Sequence, residues 1–439
     1  MRLSRCFVTA LVVAAVCTTS TSNSTPLDLK FGYAMDGYDP LSWGAESLDG
    51  QASALDADGN IYTVGSAIVD GVYQSFVLAV SPLGFDRVFG PKGIAFVPNF
   101  VGFGNEATSI VVDGDSKPLI AGFVTLPIAS CSSTETTYGF VARFATDGSI
   151  DNSFGNSTWT GTALVQLPCS ISGDASYLAL DASGRIVLAT TVRPKNRDPF
   201  YVLVARFDDN GKPDLSFGTN GQVALTASTG SDSLLATNIF VSNKNEVFIS
   251  AVDFPDGASA NGTSIFKLSQ DGSLASGFGE GGIYLPSRTE WTCCLAVDSS
   301  DRIYIAGSYA NSEMYVIRIA PEGAVDDTFG HGGAILFSVG ASNTSPQALV
   351  LDASGGFRVF GYAQDYMYDT GRIFLLHANA NGTLNAAVGF GGIYEEPCGF
   401  SNCSPRSMVI DKQNRPTMTI YSGQPILYRY DELFGAGFE

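Results

Sequence analysis

Hydrophobic and polar residues alternate with a period of two along most of the chain, in short runs that end at glycine, asparagine or aspartate. Typical runs are "IVLAT" from Ile186 and "FVARF" from Phe140. Such runs bounded by turn residues are typical of half-buried β-strands. No part of the sequence shows a sustained helical period. The pattern therefore predicts short strands joined by tight turns.

A phrase containing Phe-Gly recurs about every sixty residues, which is the signature of a repeat architecture. "PDLSFGTNGQVAL" and "VDDTFGHGGAILF" are two clear copies. The glycines of the six Phe-Gly pairs and of a degenerate seventh copy are Gly32, Gly90, Gly155, Gly218, Gly279, Gly330 and Gly389. A second phrase, exemplified by "ALDADGNIYTVGS" from Ala54, also occurs seven times.

Each repeat supplies four short strands. A run of apolar residues ends at an aspartate, a D-x-x-G turn reverses the chain, and two further strands follow. Four antiparallel strands repeated seven times predict an all-β, seven-bladed β-propeller. The segment "LDLKFG" from Leu27 starts halfway through a repeat, and "PILYRYDE" from Pro425 supplies a first half. We therefore expect the N-terminal strand to complete the last blade and close the ring.

Three columns of equivalent residues follow from the repeats. The phenylalanine column is interpreted as a wedge between neighbouring blades. Since no helix follows the glycines, the sequence disfavours a phosphate-binding loop. The cations are interpreted as partners of carboxylates or carbonyls of the same hairpin. The columns are Phe31, Phe89, Phe154, Phe217, Phe278 and Phe329; Arg143, Arg206, Lys267, Arg318, His377 and Arg429, with Ala79 as the exception; and Asp28, Asp86, Asp151, Asp214 and Asp326.

The composite motif R-[FI]-x-x-[DE]-G-x-[LIV]-D-x-[ST]-FG-x-x-G resembles the bacterial delta-60 repeat. The motif is clearest at Gly155, Gly218 and Gly330 and eroded at Gly90 and Gly389. The resemblance covers the whole chain after its N-terminal segment. It implies a secreted or surface β-propeller, and it implies no catalytic residues.

The net charge and the N-terminal segment limit which partners the protein can bind and where in the cell it can act. The net charge of −19 disfavours nucleic acid and anionic membranes. Residues 1–24 have the basic, apolar and polar regions of a secretory signal peptide, and 25–439 are expected to form one domain. We expect an exported, periplasmic, cell-surface or extracellular monomer without a membrane span. Cys17 raises the alternative of a lipoprotein anchor.

Six cysteines remain beyond the signal segment, and an even number in an exported chain favours disulfides. They are Cys131, Cys169, Cys293, Cys294, Cys398 and Cys403. All of them fall in or beside connections that open on one face. Among fifteen connectivities we favour Cys131 with Cys169, Cys398 with Cys403, and Cys293 with Cys294.

The same face carries every loop that varies in length and chemistry, and variable loops on a rigid scaffold are where binding usually occurs. The candidate ligand-facing residues are Trp291, Cys293, Cys294, Tyr362, Asp365, Tyr366 and Tyr368. The tyrosines suit stacking on a sugar or contact with a partner, or they are simply exposed. A vicinal disulfide would form a stiff apolar plate near the central channel; two separate bridges are the alternative.

Two functions remain open. The first is a binding module that recognises a protein or glycan through the loop-rich face. The second is an exported hydrolase, lyase or lactonase-like enzyme with an acidic, calcium-assisted site in the channel, which predicts converging carboxylates with perturbed pKa values. The two histidines are far apart and disfavour a histidine-based centre. No cofactor is expected; "DADGN" at Asp56 to Asn60 is interpreted as a hairpin turn, with a calcium loop as the alternative.

Overall fold

The computed structural model describes seven antiparallel β-sheets arranged in a ring. The prediction of a seven-bladed β-propeller is confirmed. Among the described residues there is no α-helix, and no helix has the length and apolar character needed to cross a membrane. The described residues are 38–40, 47–69, 71–82, 84–85, 89–97, 104–126, 136–156, 159–167, 170–194, 198–227, 233–254, 262–285, 291–309, 313–341, 343–365, 370–397, 404–421 and 425–430.

The first three sheets, blades 1 to 3, keep their strands in chain order. In blade 1 the fourth position is shared, because β5 and β6 both pair with β4, and a short 3-10 helix at Pro91–Gly93 lies between them. The strands are β2 (Ser47–Leu55), β3 (Ile61–Val69), β4 (Val72–Ser81), β5 (Gly84–Phe85) and β6 (Ile94–Phe96) in blade 1; β7 (Asn105–Val112), β8 (Pro118–Leu126), β9 (Thr136–Arg143) and β10 (Thr162–Gln166) in blade 2; and β11 (Ser170–Leu180), β12 (Ile186–Pro194), β13 (Tyr201–Phe207) and β14 (Gln222–Leu225) in blade 3.

Blades 4 to 6 repeat the same order, and blade 7 draws on both ends of the chain. Their strands are β15 (Ser233–Val241), β16 (Val247–Phe254), β17 (Gly262–Leu268) and β18 (Ile283–Tyr284) in blade 4; β19 (Trp291–Val297), β20 (Ile303–Tyr309), β21 (Glu313–Ile319) and β22 (Ala334–Phe337) in blade 5; β23 (Asn343–Leu351), β24 (Phe357–Asp365), β25 (Thr370–Ala378) and β26 (Ile393–Pro397) in blade 6; and β27 (Ser404–Ile410), β28 (Pro416–Tyr421), β29 (Pro425–Arg429) and β1 (Tyr38–Pro40) in blade 7.

The first strands of consecutive blades contact one another around the ring, and β27 of blade 7 contacts β2 of blade 1. Strand β1 pairs antiparallel with β29. The segment at 27–32 on which the expected closure depends lies outside the described residues. Closure of the ring by the N-terminal segment therefore stays a prediction.

The turn between the first and second strands has the same chemistry in every blade. In blade 1, one carboxylate oxygen of Asp56 accepts the backbone N–H groups of Asp58 and Asn60, both at 2.9 Å. Gly59 then adopts a φ of 85°, which an ordinary side chain resists. The residues equivalent to Asp56 accept the same two N–H groups; they are Asp113, Asp181, Ser242, Asp298, Asp352 and Asp411. The D-x-x-G phrase is thus a hairpin turn.

The described members of the phenylalanine column lie between neighbouring blades, as predicted. Phe217, for example, is fully buried and belongs to one cluster with Val204 of blade 3 and Ile249 of blade 4. Phe31 lies outside the described residues. These wedges give the ring a continuous series of apolar seams, and burial of one phenylalanine stabilises a fold by about 1.5–3 kcal/mol.

Three arginines of the cation column each make a three-part contact beside the phenylalanine wedge of their own blade. Arg206 Nε lies 2.8 Å from an Asp214 carboxylate oxygen, its guanidinium lies 4.5 Å from the centre of the Phe217 ring, and Nη1 donates to the carbonyl of Gln270 at 2.6 Å. Arg143 and Arg318 repeat the arrangement. The carboxylate belongs to the same blade, as predicted. The carbonyl belongs to the next blade, which corrects the expectation of the same hairpin.

Candidate functional site

A central channel runs along the ring axis and is lined by the first strands of all seven blades. Its volume is about 640 Å³. A cavity of this size holds a ligand of drug or oligosaccharide dimensions. The first strands begin at the face that carries the long loops and end at the hairpin turns of the opposite face. The channel is therefore the concave site that the blade scaffold itself builds.

Every first strand carries a shift in its pairing register with the second strand. In six blades the shift leaves one residue without an opposite partner, and in β11 it falls between Gly173 and Ser176. Such β-bulges redirect a side chain and occur often beside active sites. The six bulged residues all line the channel, and they are Gln51, Thr108, Thr237, Cys293, Gln347 and Arg406.

Glycines on the second strands make room for these bulges. A Cβ atom on Gly65 would lie 1.9 Å from the carbonyl oxygen of Asp49, and one on Gly122 would lie 1.9 Å from that of Glu106. For Gly361 the same distance, to the Ser345 carbonyl oxygen, is 2.4 Å. Non-bonded atoms do not approach this closely, so the close approach of the first and second strands requires glycine. The glycines of "YTVGS", "LIAGF" and "RVFGY" are the sequence signal for the bulges, and a prediction from strand period alone passes over them.

Blades 7, 1 and 2 bring charged residues together beside the channel-lining residues Gln51 and Arg406. Asp49 lies 3.3 Å from Arg406 Nη2 and accepts a 2.8 Å hydrogen bond from the side-chain amide of Gln51. Burial raises the pKa of the Asp49 carboxyl, and Arg406 and Gln51 offset part of that rise. The arginine also lies 5.7 Å from the ring centre of Tyr421. The cluster is thus partly desolvated and held in a defined geometry.

Glu106 occupies the position in blade 2 that Asp49 occupies in blade 1, two residues before the bulge. Burial raises the pKa of the Glu106 carboxyl, and the neighbouring negative charge of Asp49 raises it further. Neighbouring carboxylates with raised pKa values are a recognised mark of functional sites. Neither acid was singled out from the sequence, because nothing in the spacing distinguishes these two among 43 acidic residues.

A testable consequence follows for Glu106. The folded protein favours the neutral carboxyl of Glu106. This preference adds to the free energy of unfolding below the ordinary pKa of 4.5, and the contribution is lost as the pH rises through the raised pKa. Replacing Glu106 by glutamine is expected to raise the free energy of unfolding at pH 7 by a few tenths to about 1 kcal/mol. Urea unfolding at pH 7 and pH 4 measures this, and the gain should vanish at pH 4.

The matched control is Glu313→Gln, since Glu313 lies exposed at the start of β21. This substitution should leave the unfolding free energy within about 0.5 kcal/mol at both pH values. A Glu106→Gln protein less stable than wild type at pH 7 would contradict the assigned environment of this carboxyl.

Cys293 and Cys294 form a vicinal disulfide, as favoured from the sequence. Both residues line the channel at the bulge of β19. Thr292 also lines the channel and is 5% exposed, and its hydroxyl has no hydrogen-bond partner. The disulfide thus adds an apolar element to a wall that is otherwise rich in amide and hydroxyl groups.

The other predicted site residues are placed differently. Trp291 begins β19, next to the channel-lining residues. Tyr362 lies on the second strand of blade 6, where it pairs with Ser345, and it is not part of the channel wall. Asp365 ends the same strand. The remaining candidates lie outside the described residues and stay predictions; they are Tyr366, Tyr368, Cys131, Cys169, Cys398 and Cys403.

The acidic turn at Asp56 was the candidate calcium loop. Its two carboxylate oxygens accept hydrogen bonds from the backbone at Asp58 and Asn60, from the Asn60 amide at 2.7 Å and from the Tyr62 hydroxyl at 3.4 Å. These bonds are the ones that the hairpin needs. Within the described part of the chain, no three histidine, cysteine or acidic residues are grouped so that they could hold a metal ion.

Comparison with known proteins supports the fold. Residues 134–154 match the model of a "Domain of unknown function (DUF5122) beta-propeller". This short match supports a β-propeller family, while the delta-60 name stays a prediction. No curated protein matches the chain.

Solved structures are similar to the chain over most of its length. A polysaccharide lyase of the PL25 ulvan lyase type is 9% identical over 89% of this chain and 95% of its own, with a TM-score of 0.51. A PL25 ulvan lyase bound to -[GlcA(1-4)Rha3S]- is 10% identical over 90% and 94%, with a TM-score of 0.50. The β-propeller domain of the Trilobed protease from Pyrococcus furiosus is 9% identical over 89% and 95%, with a TM-score of 0.45. At these identities the comparisons show a β-propeller fold and nothing about activity.

Proposed function

We propose that the protein is a binding propeller that holds a glycan segment in its channel, at the end next to the loop-rich face. The observation that carries this proposal is the bulge that six blades share, which directs one residue per blade to the channel wall. The backbone of a bulged residue is left out of the strand pairing, and its side chain is redirected, here to the channel wall.

The wall has the chemistry that a polyhydroxylated ligand requires. Gln51 and Gln347 each offer an amide that donates and accepts hydrogen bonds, and Thr237 offers a hydroxyl. Tyr177 and the disulfide supply apolar surface for the C–H face of a sugar ring. A few oriented polar groups on a partly apolar wall are the usual composition of a small-ligand site.

The cellular setting of the proposal rests on the sequence. The signal-peptide pattern of residues 1–24 supports an exported monomer, in the periplasm, on the cell surface or outside the cell. The Cys17 anchor is the alternative to a soluble product. The loops at the same face, including the predicted tyrosines, would extend the contact to a longer glycan or to a protein partner.

The test is a glycan array probed with the labelled protein, followed by calorimetric titration of the strongest hit. The array carries neutral, amino-sugar and uronic-acid oligosaccharides. We expect the double substitution Gln51→Ala with Gln347→Ala to weaken the hit about tenfold or more, since each lost hydrogen bond is worth about 1 kcal/mol. The matched control is Gln413→Ala, which lies exposed in the hairpin turn of blade 7 on the opposite face. An array without retained glycans, or a hit bound equally well by the double variant, would refute the proposal.

A second candidate is cleavage of the bound glycan, or opening of a lactone, and the raised pKa values of Asp49 and Glu106 favour it. A carboxyl with a raised pKa is better suited than an ordinary one to act as a general acid. Calcium is the proposed auxiliary ion for such a site. Incubating the array hit with the protein, with and without calcium, and measuring new reducing or unsaturated ends tests this. Activity that survives Glu106→Gln would assign the chemistry elsewhere.

A further inference from the structure

The two cysteines of the vicinal disulfide both border the channel but differ in exposure. Cys293 is the bulged residue of β19 and is partly exposed on the channel wall. Cys294 is 2% exposed and packs in the apolar cluster between blades 5 and 6, with Met314 and Val359 among its members. A reagent that enters the channel therefore reaches Cys293 first.

The bulge does not depend on the disulfide. The same register shift occurs at Gln51, Thr108, Thr237, Gln347 and Arg406, where the first strand has no such bond. The crosslink joins adjacent residues, so it restricts the unfolded chain very little. Opening the bond should leave both the bulge and the fold in place.

We propose that the Cys293–Cys294 disulfide is a reducible site of the folded protein, open through the channel to a small thiol that attacks Cys293. The thiolate forms a bond with Cys293 Sγ, the bond between the two cysteines breaks, and Cys294 leaves and takes up a proton. A second thiol then attacks the mixed disulfide and frees Cys293. Two thiols are oxidised to one disulfide, and the protein disulfide is reduced to two thiols.

The adjacency of the two cysteines determines the course of this exchange. After its release Cys294 stays next to Cys293, so its thiolate can attack the mixed disulfide, expel the small thiol and reclose the ring. A dithiol overcomes this, because its second sulfur captures the mixed disulfide before reclosure. The site should therefore be reduced more completely by dithiothreitol than by a monothiol at the same thiol concentration.

The charges beside the channel wall select among thiols. Asp49 and Glu106 carry two negative charges against the single positive charge of Arg406, and the whole chain carries −19. A cationic thiol is attracted to this channel and an anionic one is repelled, and salt weakens both effects. The preferred reductant is thus a neutral or cationic small thiol. Reduction would also replace an apolar plate by two thiols at the proposed glycan site, a consequence that rests on the proposed function, whereas the reducible site does not.

The experiment treats the folded protein with cysteamine, 2-mercaptoethanol or mercaptoacetate at equal thiolate concentration. After alkylation, mass spectrometry of the peptide that contains both cysteines gives the rate of reduction. We expect cysteamine to react roughly tenfold faster than mercaptoacetate at low ionic strength. The difference should shrink at 0.5 M salt and in the double variant Asp49→Asn with Glu106→Gln.

Circular dichroism and thermal unfolding test whether the reduced protein is still folded. A native spectrum and a midpoint within about 4 °C of the oxidised protein are expected. A variant with Cys293→Ala and Cys294→Ala should fold and leave the peptide unlabelled. The proposal is overturned by free thiols in the untreated protein, by resistance to dithiothreitol until the protein unfolds, or by equal rates for the three monothiols.

Discussion

Replacing Arg206 by alanine is expected to lower the free energy of unfolding by about 3–5 kcal/mol. Its side chain is 1% exposed and joins Asp214, the carbonyl of Gln270 and the face of Phe217. The substitution leaves a carboxylate and a carbonyl at the seam without this donor, and it opens a cavity above the wedge. Urea or guanidinium unfolding followed by circular dichroism measures the loss.

The matched control is Arg302→Ala. Arg302 pairs with Asp298 at 2.7 Å in a hairpin turn, but its side chain is 35% exposed. Exposed pairs contribute about 0.2–1 kcal/mol, so this variant should lose no more than that. Equal losses in the two variants would mean that burial does not set the strength of the arginine contact.

Gly122→Ala is expected to destabilise the protein by about 3 kcal/mol, because the added Cβ would meet the backbone of β7 at Glu106. The strand can relieve this contact only by moving away and losing the bulge at Thr108. That residue exchanges two hydrogen bonds with the backbone of Ser176, at 2.8 and 2.9 Å, which join blades 2 and 3. Denaturant unfolding measures the stability. Amide hydrogen exchange of β7 and β11 follows the local change.

Gly114→Ala in the same blade provides the control. Gly114 lies exposed in the turn after β7, and a Cβ atom there would contact nothing within 4 Å. The control should stay within about 0.5 kcal/mol of wild type. A Gly122→Ala protein as stable as this control, with unchanged exchange at β11, would contradict the tight approach of the two strands.

The sequence predicted the blades well because their determinants are local and repeated. A turn aspartate such as Asp56 and a wedge such as Phe217 each recur in fixed register, so one copy explains the next. The acceptor of Arg206 could not be predicted, since identical repeats do not distinguish a carbonyl of the same blade from one of the next. The distinction depends on how the blades pack.

The channel chemistry was predicted far less completely. Cys293 and Cys294 were identified because adjacent cysteines are rare enough to be noticed. Asp49 and Glu106 were missed, since nothing in their spacing distinguishes them from the other acidic residues. A period-two interpretation also runs straight through a bulge, so it does not identify the bulged residues that line the channel. Only the glycine inside the second strand, such as Gly65, marks the position where the period breaks.

The forward contact of each arginine also gives the ring a direction. Arg143, Arg206, Arg318 and Arg429 each tie their own blade to a carbonyl of the following one. In blade 1 the equivalent residue is Ala79, which has no cation to offer. Lys267 and His377, the equivalent residues of blades 4 and 6, pair with Glu246 and Asp352 of their own blades. The seam between blades 1 and 2 is thus the one where the residue of this column carries no polar side chain. When the ring opens locally, we expect blades 1 and 2 to separate before blades whose seam is tied by an arginine.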